Sequence, residues 1–268
     1  MLDQMAPTLC FSTLGCTDAE LEDVLALARA HGLKAVELRG LGRTLDLPGY
    51  FETRFANPGR LAGCFADYGV WPASMDASAS LVGAGRAERA ELDALLPWAR
   101  ASETGQIRVF DGGTTGSDGE LESMAPLLDW WAEKGTQLAL AIETHDCLAQ
   151  PSVLQRFVSL YPQARLLWDT HHTWHVGHEL PSTTWTKLRG RTTHLHVKDS
   201  VKSSDRRTYV PPGAGTFPHR DLIAALSGEP VVISLEWERH WYPEIGPIEP
   251  ALAAFVGLYS TPVSERTA

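Results

Sequence analysis

The sequence has no run of about 18 apolar residues, so no membrane-spanning helix is expected. Its first residues, MLDQMAPTLCFSTLGC, hold no basic segment ahead of a long apolar one, and no secretory signal is read from them. Cysteine is scarce: Cys10, Cys16, Cys64 and Cys147 are the only four, and none belongs to a CxxC pair. They read as reduced, partly buried thiols of a cytoplasmic protein. There is no surplus of positive charge. Lys and Arg number 23 against 33 Asp and Glu, a net charge of −10. Such a chain repels phosphate backbones, which argues against nucleic acid or an anionic membrane as partner. No GxGxxG follows the first strand pattern, which argues against a doubly wound dinucleotide fold, and neither an internal repeat nor a low-complexity segment is present.

What is present is an ordinary globular composition, 44% hydrophobic and 21% charged, with ample material for a core. Strand and helix patterns alternate along it. Strands are predicted at 8–13, 34–38, 70–75, 106–110, 137–143, 164–169, 193–198 and 230–236. Helices are predicted at 17–32, 86–103, 119–135, 152–161, 182–190, 219–228 and 248–259, the first capped by Thr17 and stopped by Gly32. Eight strand–helix units in about 250 residues suit one α/β domain over 1–268, a (β/α)8 TIM barrel. The segment 200–216, SVKSSDRRTYVPPGAGT, reads as a mobile active-site loop, and the tail 261–268 as frayed.

The polar residues fall where a barrel keeps its chemistry. Glu143, Asp169 and Glu236 close three of the predicted strands, and His196 lies near the end of a fourth. In a barrel these ends meet at one mouth. Three carboxylates and an imidazole make a hard, oxygen-rich set for one divalent cation, Mn²⁺ first, with Mg²⁺, Co²⁺ or Zn²⁺ as alternatives. Taken singly, an acidic residue at a strand end is more often a helix cap or a loop hydrogen-bonder. The stretch THLHVKDS raises the same question, because strand parity puts His194, His196 and Lys198 on one face. His194 sits one step deeper, suited to supporting a ligand from beneath.

These motifs resemble the xylose-isomerase-like barrels of sugar isomerases and epimerases. That superfamily also holds inosose dehydratases, dehydroshikimate dehydratases and apurinic endonucleases. The resembling pieces are AVELRG (35–40), LAIETHD (140–146), LLWDTHH (166–172), HLHVKDS (194–200), PPGAGTFPHRDLIAAL (211–226) and ISLEWE (233–238). The resemblance implies that Glu143, Asp169, His196 and Glu236 hold the cation, that Glu143 and Glu236 double as bases, and that His172 reaches the substrate. It also implies a homo-oligomer, and a structural role for the PPGAGTF turn through Gly213 and Gly215 at φ > 0. Two departures stand out. Ala149 occupies the place of the second glutamate of ketose 3-epimerases, and the endonucleases' early histidines and DRH loop are missing, the loop here reading Asp205-Arg206-Arg207.

The expected activity is therefore isomerisation or epimerisation of a sugar or sugar-like hydroxy-ketone, by proton abstraction next to a carbonyl. The alternatives are a dehydratase of a keto-cyclitol or dehydroshikimate-like substrate, with His145 as base, and a non-catalytic barrel serving as a binding subunit. The ExH pair of Glu143 and His145 resembles the dehydroshikimate dehydratases. Lys198 is expected to polarise an oxygen or donate a proton, or else to form a salt bridge with Asp199 or another carboxylate. Arg39 suits a substrate carboxylate or phosphate, or a pair with Asp76 or Asp111. Arg206 and Arg207 are the contacts expected if the substrate is anionic; solvated loop charges are the plainer reading. Trp168, Trp174, Trp237 and Trp241 flank the ligands in sequence, and Trp237 is taken as a wall for the substrate's C–H face. His171, His175, His178 and His240 carry no assigned role.

Overall fold

The computed structural model describes residues 7–203 and 206–260, and the side chains of Ser203 and Arg206 lie outside that description. Ten strands are present among the described residues: β1 (Thr8–Phe11), β2 (Ala35–Leu38), β3 (Trp71–Ser80), β4 (Gln106–Phe110), β5 (Ala139–Glu143), β6 (Arg165–Asp169), β7 (Thr192–Val197), β8 (Asp199–Ser203), β9 (Arg206–Val210) and β10 (Val232–Leu235). Eight of them form one sheet in the order β1-β10-β7-β6-β5-β4-β3-β2, every pairing parallel. A parallel bridge between Ser12 and Glu37 joins the two end strands, so the sheet curls into a (β/α)8 barrel. Helices cover the outside and bury the apolar faces of the strands in one continuous core.

The helices follow local signals, and some divide differently from the sequence reading. The segment between β2 and β3, to which no helix is assigned above, carries two, Leu47–Phe55 and Pro58–Tyr68. Asp46 and Asn57 cap them and each has a proline in its first turn. The helix expected at 119–135 splits into Asp118–Glu122 and Ala125–Glu133, where Pro126 starts a new first turn. A helix not foreseen, Thr170–Gly177, begins directly at the end of β6.

Within the segment expected as a loop, residues 200–203 and 206–210 are strand and 211–216 are a turn. β8 and β9 pair antiparallel, from Asp199 opposite Val210 to Ser203 opposite Arg206, forming a hairpin. The turn that follows is pinned by Asp199, which accepts the N–H groups of Gly213, Gly215 and Phe217 at 2.9 Å each. Gly213 has φ +88°, as expected, whereas Gly215 is required for a different reason: a Cβ there would collide with the Asp199 carboxylate. All four cysteines are free thiols, and no helix among the described residues is long and apolar enough to cross a membrane.

Candidate active site

All eight barrel strands point their C-terminal ends at one mouth, and the register aligns the functional side chains there. Phe110 pairs with Glu143, Asp169 with His196, and His196 with Ser234, two residues before Glu236. One ligand atom from each of Glu143, Asp169, His196 and Glu236 lies within 4.8 Å of the other three, and all four residues are buried. His196 Nδ1 is 3.1 Å from Glu143 Oε1 and 3.4 Å from Glu236 Oε1. Asp169 has two tasks. Its Oδ1 accepts the His172 N–H at 2.7 Å, capping Thr170–Gly177, while Oδ2 faces the cluster. The plain reading of a strand-end acid as a helix cap and the site reading are thus both true of it.

Beneath the cluster lies a residue to which the sequence reading gave no role. Glu37, fully buried on β2, receives both imidazoles of β7: His194 Nε2 at 2.6 Å on Oε2 and His196 Nε2 at 2.8 Å on Oε1. Burial works against the Glu37 carboxylate, but His196 and His194 hold its pKa well below the usual range. His196 is likewise opposed by burial, yet Glu236, Glu37 and Glu143 carry its pKa well above the ordinary value. A carboxylate on the far nitrogen of a ligating histidine fixes the ring and leaves the near nitrogen to the metal.

Two fixed cations neutralise the rest. Lys198, fully buried, directs its ammonium at three carboxylates: Asp169 Oδ2 at 2.8 Å, Glu236 Oε2 at 2.5 Å and Glu238 Oε1 at 2.5 Å. Its hydrogen bonds go to Glu236 and Glu238, and the Asp169 contact is an ion pair. Arg108 reaches Glu143 Oε2 with Nε and Asp76 Oδ2 with Nη2, each at 3.3 Å. Burial raises both Asp76, well above the usual carboxylate range with Glu37 adding to it, and Asp169, to about 6 against the pull of Lys198.

Next to the cluster, across His172 and Glu238, lies a cavity of about 370 Å³ whose wall includes His145, His171, His172, Arg207, Tyr209 and Glu238. The rings of His145 and His172 lie 4.6 Å apart. Burial opposes the charge on His145, but its hydrogen bond to Asp146 at 3.0 Å, with the charge of Glu143, raises its pKa to about 9. Burial, with Lys198 next, holds His172 well below its ordinary value. The two imidazoles thus differ in protonation at neutral pH, the condition for an acid and a base side by side. The hairpin supplies Tyr209, packed 5.7 Å from the His171 ring and 5.3 Å from Tyr242.

Comparison with known proteins agrees with this barrel fold. The family model described as xylose isomerase-like TIM barrel matches residues 25–256. The chain belongs to that family. No curated protein sequence matches it. Among solved structures it is similar to the probable 3-DHS dehydratase AsbF of Bacillus anthracis, at 17% identity over 95% of this chain and 99% of that one, TM-score 0.76. It is also similar to the IolI protein, described with a bound zinc atom, at 18% identity over 94% and 98%, TM-score 0.71. An AP endonuclease, family 2, of Brucella melitensis matches at 16% over 94% and 98%, TM-score 0.68. At these identities the likeness establishes the shared barrel alone.

The donor set of this xylose isomerase-like barrel fits a hard divalent cation: three carboxylates and one imidazole nitrogen converge, with the imidazole already oriented from behind. Lys198 and Trp237 fall differently from the catalytic and wall roles expected of them, and Arg39 differently from its expected pairings. Lys198 does not pair with Asp199, and its ammonium is spent on carboxylates rather than free over the cavity. Trp237 is buried, its indole N–H donating to Gly246 O at 3.0 Å and its Cβ lying under Gly15, so it is a core residue and not a cavity wall. Parity explains this: Glu236 and Glu238 face Lys198, and the residue between them faces away. Arg39 pairs with neither Asp76 nor Asp111. Asp76 is taken by Ser74 and Arg108, and Asp111 by the N–H groups of Asp146 and Leu148. The Arg39 guanidinium lies 5.9 Å from the Phe110 ring, and burial lowers its pKa to about 10. The Arg206 side chain falls outside the described residues. Glu37, Arg108 and Glu238 were missed, although a charged residue inside an apolar strand such as AVEL or QIRVF is itself a signal, because buried charges require partners.

Proposed function

We propose that the chain is a divalent-metal-dependent enzyme acting on a sugar or sugar-like hydroxy-ketone, an isomerase or epimerase that moves a proton next to a carbonyl. The observation that carries this is the convergence of Glu143, Asp169, His196 and Glu236 next to a cavity whose wall includes His145, His172 and Glu238. When bound there, a divalent cation, Mn²⁺ by the hardness of the oxygen donors, supplies Lewis-acid polarisation of a carbonyl. The residues around it divide the remaining work. Glu143 and Glu236 are assigned to holding the ion rather than to proton transfer, since their oxygens converge with those of Asp169 and the His196 ring and neither residue lines the cavity. Lys198 keeps the three carboxylates assembled. His172 is the base that accepts the proton, and His145, held by Asp146, is the acid that returns one. Tyr209 and the hairpin wall the cavity against water.

A second reading is a dehydratase. It draws support from the His145–Asp146 pair, which places a charged imidazole where a departing hydroxyl would need a proton. One experiment separates them. The Mn²⁺-loaded protein is incubated in D2O with a panel of ketoses and keto-cyclitols. Deuterium entering the carbon next to the carbonyl supports the isomerase or epimerase. A new ultraviolet band from a conjugated enone supports the dehydratase. Neither change, across the panel and with metal bound, counts against both.

A further inference from the structure

We infer that the substrate carries an anionic group, a carboxylate or a phosphoryl group, and that Arg207 at the rim of the cavity is its receptor. The inference rests on the reading of this cavity as the substrate site and adds the chemical class of what enters it. Arg207 is held from two sides. Its Nη1 donates to Ser200 Oγ at 2.8 Å, and its guanidinium lies 5.5 Å from the Trp174 ring centre. Ser200 is fixed in turn by His171, whose Nε2 is 2.7 Å from the same oxygen. What Arg207 lacks is a counterion. Among the described residues no carboxylate pairs with it, and its buried Nε has no hydrogen-bond partner.

The rest of the cavity does not supply one. Its wall carries one carboxylate, Glu238, and that is paired with Lys198. The other groups of the wall beside Arg207 are the rings of His171, His175 and Tyr209, none of which offers a carboxylate. Hence Arg207 is a cation with no counterion on the described wall of the cavity. With Nη1 on Ser200, Nη2 is left as a donor for an oxygen of a carboxylate or phosphate, beside a buried Nε that has no partner of its own. An ordered, stacked guanidinium also loses little entropy when it binds, which is what a built receptor requires. Of the other buried cations of the mouth, Lys198 and Arg108 are paired with carboxylates, and Arg39, which is not, lies beside Phe110 and does not line this cavity. A substrate spanning the cavity would place its hydroxy-ketone over the cluster and its anionic end on the hairpin.

The test uses three six-carbon polyols that differ at one end: gluconate, glucitol 6-phosphate and neutral glucitol. Each is titrated calorimetrically into the wild-type protein and into Arg207→Gln and Arg207→Lys, with and without Mn²⁺. At least one anion is expected to bind about tenfold or more tightly than glucitol, the scale of a charge-assisted hydrogen-bonded pair. Arg207→Gln is expected to erase that preference and Arg207→Lys to keep part of it. Whichever anion is favoured identifies the carboxylate or the phosphoryl group. Equal binding of all three compounds, no binding of either anion, or a preference that survives in Arg207→Gln would overturn the inference. Because the titration is also run without metal, an anion preference in a protein that takes up no Mn²⁺ would sink the metal-dependent reading and leave this one standing.

Discussion

Glu37 touches none of the cavity, yet its replacement should weaken metal binding more than any other change outside the four ligands. In the structure its Oε1 accepts the His196 Nε2–H at 2.8 Å, and His194 Nε2 lies 2.6 Å from Oε2. His196 consequently keeps a proton on Nε2, and Nδ1 faces Glu143 and Glu236, where an ion would sit. Glu37→Met keeps much of the volume and removes the acceptor. His196 Nε2 then has no partner, and the proton is better placed on Nδ1, donating to Glu143. That is the wrong nitrogen for a ligand. Removing an outer partner of a metal-bound histidine costs about 10- to 100-fold in affinity, or about 1.4–2.7 kcal/mol. Glu37→Gln should lose less, since its amide oxygen can take the His196 N–H while its amide nitrogen turns to His194. Mn²⁺ affinity measured by competition with a fluorescent chelator gives the ratio, and circular dichroism shows whether each variant is folded. Glu37→Met that folds and binds Mn²⁺ as tightly as wild type would refute the reasoning.

Other consequences are equally direct. Lys198→Met leaves Asp169, Glu236 and Glu238 facing one another without their ammonium, so the metal-free protein should lose about 3–5 kcal/mol in urea denaturation, part of it regained with Mn²⁺; unchanged stability would contradict the role given to Lys198. Protons compete with the ion for Asp169, whose pKa burial raises to about 6. Metal affinity should therefore fall more steeply as pH drops through about 6, on top of the proton that His196 gives up to the ion, with proton release visible in calorimetry; an affinity flat between pH 5 and 7 would count against Asp169 as ligand. His145→Gln should lower kcat by about 10²- to 10⁴-fold while metal content stays intact, and a variant with normal kcat would remove His145 from proton transfer.

Much of this was legible in the chain. Alternating strand and helix patterns indicate the barrel, because each strand pattern ends near a polar residue and all such ends share one mouth. The parity of His194, His196 and Lys198 indicates a shared face, and all three do point into the barrel interior, onto Glu37, the cluster and its carboxylates. The hairpin was harder to see. Its strands, DSVKS and RRTYV, are mostly polar and sit over a mouth rather than a core, so no apolar alternation marks them. Trp237 illustrates the opposite error. Closeness in sequence to Glu236 suggests a cavity wall, but strand parity sends the indole outward into the core. The fate of Lys198 could not be read locally at all, since its partners lie on β6 and after β10, far apart in sequence and joined only by closure of the sheet.

The first measurement to make is the metal content of the purified protein, after incubation with Mn²⁺ or Co²⁺, by plasma mass spectrometry. Glu143→Ala and His196→Ala are measured alongside. About one ion per wild-type chain is expected, lost from both variants. A wild-type protein that stays free of metal, or variants that retain it in full, would contradict the assignment of Glu143, Asp169, His196 and Glu236 as a single cation site.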